Sequence, residues 1–112
     1  MSNLANKVQL IGNLGQDPAI VTFDNGKKLA KFSIATSENY VNKNGEKVND
    51  TQWHNIVAWD KTADIIEKYV TKGNRIGLDG KLTSRTYTDN DGVKRFVTEI
   101  VCANILMLGT RL

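Results

Sequence analysis

The chain is poor in the residues that staple, kink or coordinate. Its 112 residues include one cysteine (Cys102), one proline (Pro18) and one histidine (His54). A lone cysteine excludes an internal disulfide and any zinc site built on cysteine pairs. With a single histidine there is no His-Glu-x-x-His, and the sequence also lacks a Gly-x-Ser-x-Gly elbow and a Walker-type loop. Gly12-Asn13-Leu14-Gly15 is not a phosphate cradle, because no Lys-Ser/Thr follows and no helical pattern opens there. Carboxylates are scattered and none pairs with a nucleophile. No apolar run approaches the roughly 20 residues needed to span a bilayer. Met1 to Lys7 has neither an apolar signal core nor an Arg-rich transit pattern. These absences lead to an expectation of a cytosolic protein that is not an enzyme, with no metal, no cofactor and no membrane partner.

What is present suits one globular domain over residues 1–112. The hydrophobic fraction is 40% and the charged fraction 24%, ordinary values for a soluble domain with a core. Fifteen basic and twelve acidic residues leave a net charge of +3. Residues 1–60 are balanced, so the excess lies in the second half, where it permits a polyanionic partner.

The pattern is one of short strands with a single helix. Val8 to Ile11 is β-rich and runs into Gly12 to Gly15, where glycines within a strand predict a bend at a barrel corner. Gln16-Asp17-Pro18 breaks the strand, and Ala19 to Phe23 resumes it. Asp24-Asn25-Gly26 predicts a hairpin turn into the strand Leu29 to Thr36. Asn42 to Gly45 predicts a second turn, inside a polar stretch from Ser37 to Asp50 read as a long, mobile arm. Thr51 to Trp59 is the next strand. Lys61 to Lys72 is the one helical pattern, with Ala63, Ile66 and Val70 at helical spacing, Asp60 or Thr62 as its N-cap and Gly73 as its terminator. Ile76 to Tyr87 and Val93 to Leu108 are the last strands, joined by a turn at Asp89 to Gly92. The order β-β-β-α-β-β predicts an all-β fold, a five-stranded OB-fold barrel with one helix between strands 3 and 4.

The aromatic residues carry the chemistry. Strand alternation puts Trp53, Asn55, Val57 and Trp59 on one face, with His54, Ile56 and Ala58 on the other. The two tryptophans then lie roughly 20 Å apart, a spacing suited to an extended chain. Lys81, Thr83, Arg85 and Tyr87 share a face of a second strand, with Leu82 turned towards the core. Tyr40 sits at the base of the polar arm that holds Lys43 and Lys47. Flat rings stack on unpaired bases, cations hold the phosphates between them, and a duplex hides its base faces. The same aromatics could instead fill a core, and the residues leave both readings open. Cys102, between Val101 and Ala103, reads as a buried structural thiol.

Six segments resemble the bacterial-type single-stranded-DNA-binding protein family. They are Asn6 to Pro18, Phe32 to Glu38, Thr51 to Trp59, Tyr69 to Gly73, and Asp91 to Ile100 followed by Met107-Leu108-Gly109. The resemblance implies an OB-fold, usually assembled as a homotetramer, that binds and protects single-stranded DNA in replication, recombination and repair. It implies a bacterial cytoplasmic, nucleoid-associated location. It implies base stacking at Tyr40, Trp53, Trp59 and Tyr87, where the family commonly has Trp at the first and last and Phe at the third. It implies phosphate contacts at Lys7, Lys61, Lys72 and Arg85, to which Lys43 on the arm is added, and a subunit interface at His54. Asn55, Thr83 and Thr86 stand where the family commonly has basic residues. The family usually continues past Met107-Leu108-Gly109 into a flexible linker and an acidic tip that recruits replication and repair proteins. This sequence stops at Leu112, as a truncated form or a short natural one, and without the tip that recruitment is not expected. Two rivals remain: an OB-fold adaptor of primosome type working through protein contacts, and an OB-fold nuclease, for which no carboxylate cluster is seen.

Overall fold

Three hairpin turns are fixed by side chains that imitate the backbone. Asn42 Oδ1 accepts from the backbone N–H groups of Asn44 (2.9 Å) and Glu46 (3.0 Å). Asp89 Oδ1 does the same for Asp91 (3.0 Å) and Val93 (2.9 Å), and Asn25 Oδ1 accepts from Lys27 (3.1 Å). Each turn then closes through a glycine N–H: Gly26 to Phe23, Gly45 to Asn42, and Gly92 to Asp89.

In a computed structural model, which describes residues 4–110, these turns organise a closed barrel. A 3-10 turn at Leu4–Asn6 leads into β1 (Val8–Leu14), β2 (Ala19–Thr22), β3 (Lys28–Val41) and β4 (Lys47–Trp59). The helix α1 (Asp60–Tyr69) follows, then β5 (Asn74–Thr88) and β6 (Lys94–Thr110). The sheet order is β1-β5-β6-β4-β3-β2, and a further β1–β3 pairing closes five strands into the barrel. All pairings are antiparallel except β4–β6, which meet in parallel at Ile56–Ile100 and Val57–Val101. The five-stranded OB-fold barrel and its one helix are as expected. The sixth strand, β2, lies outside the barrel on the edge of β3. The sequence pattern had run it together with β1, but the Gly15-to-Pro18 break gives it a separate place.

Closure depends on one glycine. β1 pairs with β5 as far as Asn13–Arg75 and with β3 at Asn13–Ala35 and Leu14–Ile34, so it turns the barrel corner at Gly12 and Asn13. A Cβ on Gly12 would collide with the Ala35 carbonyl oxygen. Inside, Phe32, Ile34, Ile56, Ala58, Ile76, Leu78 and Ile100 interdigitate, and Ala63, Ile66 and Val70 of the helix region cap one end.

The helix differs from its sequence pattern at both ends. It ends at Tyr69, and Val70 is already extended at φ −104°. The buried Asn74 side chain is the cause, since its Oδ1 takes the Thr71 N–H at 2.7 Å and draws Thr71–Asn74 into a turn. Gly73 therefore serves that turn and does not terminate the helix. At the start there is no side-chain cap from Asp60 or Thr62. Asp60 Oδ1 instead accepts the Lys28 N–H at 3.3 Å, and Asp60 itself sits at φ 51°, a region that aspartate tolerates better than most residues.

Two hairpins run past the barrel as arms. The polar stretch Ser37–Asp50 is a regular ladder, paired from Ser37–Thr51 to Val41–Lys47. A second ladder runs from Thr83–Glu99 to Thr88–Lys94. Leu82 keeps the inward direction of Leu78 and pairs with core Ile100, but β1 covers β5 only as far as Val8–Gly80, so Leu82 is 46% exposed and does not reach the core as expected. The Asn6 side chain anchors the N-terminal turn to this arm, donating to Leu82 O and accepting from Leu82 N–H, both at 3.0 Å. Lys7 reaches Asp79 at 3.3 Å. Asp79 is held below the usual carboxylate range, first by the Asn104 amide donating to it and then by Lys7. Among the described residues, no helix is long and apolar enough to cross a membrane.

Cys102 is buried, as expected of a structural thiol. Burial, with a smaller push from Asp79, raises its pKa to about 11. At pH 8 the folded thiolate population is then about a hundredfold below that of a free cysteine. Labelling by a chromogenic disulfide at pH 8 is expected to be slow in buffer and immediate in denaturant.

Candidate nucleic-acid interface

The β3–β4 register builds the outer face. Its cross-strand pairs are Leu29–Trp59, Lys31–Val57, Ser33–Asn55 and Ala35–Trp53. Their neighbours Ala30–Ala58 and Phe32–Ile56 point inward and are buried. The core-filling alternative for the tryptophans therefore fails, since Trp53 is 61% and Trp59 42% exposed.

Each tryptophan has its own support. Trp53 lies across Gly15, where an added Cβ would stand 2.7 Å from two ring carbons. Only glycine lets the ring come this close to the bend that follows β1. Trp59 is stacked on Phe23 at 6.1 Å between ring centres and 21° between planes. Beside Trp53 is an open groove of about 600 Å³, lined by Gly15, Asp17, Lys31, Asn55 and Glu99 among others.

Glu99 links this groove to the second arm. Its carboxylate takes both arms of the Arg85 guanidinium, Nε to Oε1 at 3.0 Å and a terminal nitrogen to Oε2 at 3.4 Å. The same guanidinium lies 6.0 Å from the centre of the Tyr87 ring. Thr83, Arg85 and Tyr87 pair with Glu99, Val97 and Arg95, so they share the outer face with Trp53 and Trp59. Arg95 is occupied by Asp89 at 2.9 Å.

The remaining expected residues are placed less uniformly. Tyr40 is exposed, but it pairs with Val48 near the tip of the arm, not at its base. By ladder alternation it lies on the side opposite Trp53, in line with Ile34 and His54. Lys43 is in the turn beyond it. Lys61 stands in the first turn of α1, two residues after Trp59. Lys72 lies next to the groove rim, its backbone N–H donating to Asp17 Oδ1 at 2.8 Å. Among the described residues Lys31, Lys43, Lys61 and Lys72 are in no ion pair, whereas Lys7 and Arg85 are. His54 is half-buried on the inner side of β4, with Nε2 3.0 Å from Thr36 Oγ1.

Lys31, Phe23 and Glu99 belong to this face and were not singled out from the sequence. Lys31 was within reach, since pairing Val41 with Lys47 across the Asn42–Gly45 turn and counting back sets it opposite Val57. Phe23 meets Trp59 across the β2–β3–β4 ladder, and Glu99 meets Arg85 within the β5–β6 hairpin, so both depend on strand registers more than on local pattern. Among the described residues no group of three His, Cys, Asp or Glu side chains could hold a metal ion.

The single-strand binding protein family model matches residues 5–108. The chain belongs to this family. It is 45% identical over 108 residues to a single-stranded DNA-binding protein of Bacteroides thetaiotaomicron, covering 95% of this chain and 67% of that one. A single-stranded DNA-binding protein of Neisseria meningitidis serogroup A is 43% identical over 106 residues, covering 95% of this chain and 61% of the relative. A solved structure described as a Plasmodium falciparum SSB complex with ssDNA superposes with a TM-score of 0.85 at 36% identity, covering 92% of this chain and 94% of that one. The chain thus spans roughly two-thirds of the length of these curated relatives. The family is one of binding proteins, not enzymes, and its relatives are named for the single strand and not for a primosome role. The nuclease and adaptor readings are set aside.

Proposed function

We propose that the chain binds single-stranded DNA without sequence preference and protects it during replication, recombination and repair in a bacterial cytoplasm. The observation that carries this reading is the pair of exposed tryptophans on one outer face with the unpaired Lys31 between them. Bases stack on Trp53, Trp59 and Tyr87, and Tyr40 takes a base where the strand passes the first arm. Lys7, Lys31, Lys43, Lys61, Lys72 and Arg85 neutralise phosphates. None of these contacts reads a base edge, and every base offers a π-face, so affinity does not depend on sequence.

The proposed protein is a homo-oligomer, a tetramer as the family resemblance implies. Ile11, Gly77 and Leu106 are in register across β1, β5 and β6 and form a flat apolar row. Ile11 is 50% and Leu106 63% exposed, and the glycine between them lets a second copy of the sheet approach closely. His54, half-buried on the inner side of β4 opposite Ile34, is proposed as a second contact between subunits. Sedimentation equilibrium is expected to give a multiple of 12.4 kDa for the native chain and a smaller species for Leu106→Glu. An unchanged mass in the variant would remove this row from the interface.

Tryptophan fluorescence titrated with oligo(dT) tests the binding. Strong quenching by the single strand, and none by a duplex of equal length, is expected. Trp53→Ala and Trp59→Ala are each expected to weaken binding by about 1–3 kcal/mol while the fold survives. Normal affinity in both would end the stacking reading.

Arg85 enters this scheme already neutralised by Glu99. Glu99→Gln removes a carboxylate from the groove and releases a cation to phosphate. Its affinity for oligo(dT) is expected to rise at low salt, with a log K against log salt slope steeper by about 0.7. An unchanged slope would mean that Arg85 stays on residue 99 in the complex.

A further inference from the structure

The exposed surface of α1 sorts its charges into two sides. Asp60, Asp64 and Glu67 lie along one side, and β3 answers them with Lys28. The Lys28 ammonium is 2.7 Å from Asp64 and 2.6 Å from Glu67, and its backbone N–H donates to Asp60. That side is satisfied within the fold. Ala63 and Ile66 occupy the buried side. The remaining side carries Lys61, Ile65, Lys68 and Tyr69, which helical spacing gathers into an arc of about 100°.

This last side has no partner within the chain. Ile65 is 44% and Tyr69 60% exposed. The Lys68 ammonium stands 5.9 Å from the centre of the Tyr69 ring, so a cation and an aromatic face are offered together. Among the described residues neither Lys61 nor Lys68 is in an ion pair. Along the chain, both ends of the stripe lie within three residues of groups at the outer face. Lys61 follows Trp59 by two residues, and beyond Tyr69 the Lys72 N–H is bonded to Asp17, which lines the Trp53 groove.

We propose that this stripe is a further binding site for single-stranded DNA. Tyr69 stacks a base, and Lys61 and Lys68 hold the adjoining phosphates of a strand segment that has left the groove. The occupant follows from charge and continuity: the stripe is cationic and aromatic, and along the chain it begins and ends within three residues of groups at the face on which the strand lies. The inference rests on the strand-binding reading above.

The test is titration of the full chain with oligo(dT) of graded length, using Tyr69→Ala, Tyr69→Phe and Lys68→Gln. On the shortest strand that saturates tryptophan quenching, all three are expected to bind as the native protein does. On strands about twice that length, Tyr69→Ala is expected to bind roughly 5- to 150-fold more weakly, and Tyr69→Phe within about twofold. Lys68→Gln is expected to lower the salt slope by about 0.7 on the longer strand only. Native behaviour of Tyr69→Ala at every length, while Trp53→Ala weakens binding, would overturn the proposal. Equal loss at every length would also overturn it, by making Tyr69 part of the groove. A loss accompanied by a changed sedimentation mass would assign the stripe to a subunit contact instead. If Trp53→Ala is also without effect, the strand-binding reading itself has failed.

Discussion

Gly12 lies against the Ala35 carbonyl, and the geometry of the outer face depends on that approach. Because β1 comes this close, it leaves β5 and joins β3 within two residues, and the sheet closes. Closure separates an inside, where Phe32, Ile34, Ile56 and Ile76 exclude water, from an outside that the core does not need. The same turn of β1 brings Gly15 beneath Trp53, so the strand that shuts the barrel also seats the largest exposed ring. Gly12 in β1 and Gly15 in the bend after it thus do different work, the first admitting a backbone and the second a side chain.

Charge on this molecule is distributed less by number than by pairing. A net charge of +3 is modest for a protein that is to follow a polyanion. Yet five of the twelve acidic residues are spent on particular partners: Asp64 and Glu67 on Lys28, Asp79 on Lys7 and Asn104, Asp89 on Arg95, and Glu99 on Arg85. Such exposed pairs add little stability, about 0–1 kcal/mol each. Their larger effect is on the field, since they neutralise these five carboxylates while, among the described residues, Lys31, Lys43, Lys61 and Lys72 stay out of ion pairs. Arg85 is the exception on the outer face, because a phosphate must displace or share Glu99 to reach it.

The sequence made most of this legible where the signal was local. Asn and Asp followed by glycine marked each hairpin, and period-two alternation through Thr51 to Trp59 separated exposed rings from buried Ile56 and Ala58. It was less informative where contacts are distant in the chain. The polar run from Ser37 to Asp50 carries no hydrophobic pattern, yet it pairs residue by residue because the Asn42–Gly45 turn and the strands below it leave one register. That regular ladder is what moves Tyr40 to the arm's tip and to the side away from Trp53. Leu82 obeys alternation and still fails to be buried, because β1 ends before it. The helix ends differ from the pattern because residues outside the helix decide them: Asn74 Oδ1 draws the Thr71 N–H into a turn, and the Lys28 N–H takes Asp60 Oδ1.

The proposed strand contacts differ in how firmly they are held, and this bears on how one surface accepts any sequence. Trp53 and Trp59 stand on a strand whose opposite face is core, and each leans on a further group, Gly15 or Phe23. Tyr87 and Tyr40 stand on two-stranded arms with both faces exposed, where local opening costs far less than in the barrel. The tryptophans therefore act as fixed platforms whose entropy is already lost in folding, and the tyrosines as platforms that can shift to meet a base. A strand held at fixed points, with adjustable ones beyond them, accommodates purines and pyrimidines of different size without a pocket shaped for either. Sequence tolerance then follows from the division between barrel and arms, which is itself a consequence of where the core residues stop.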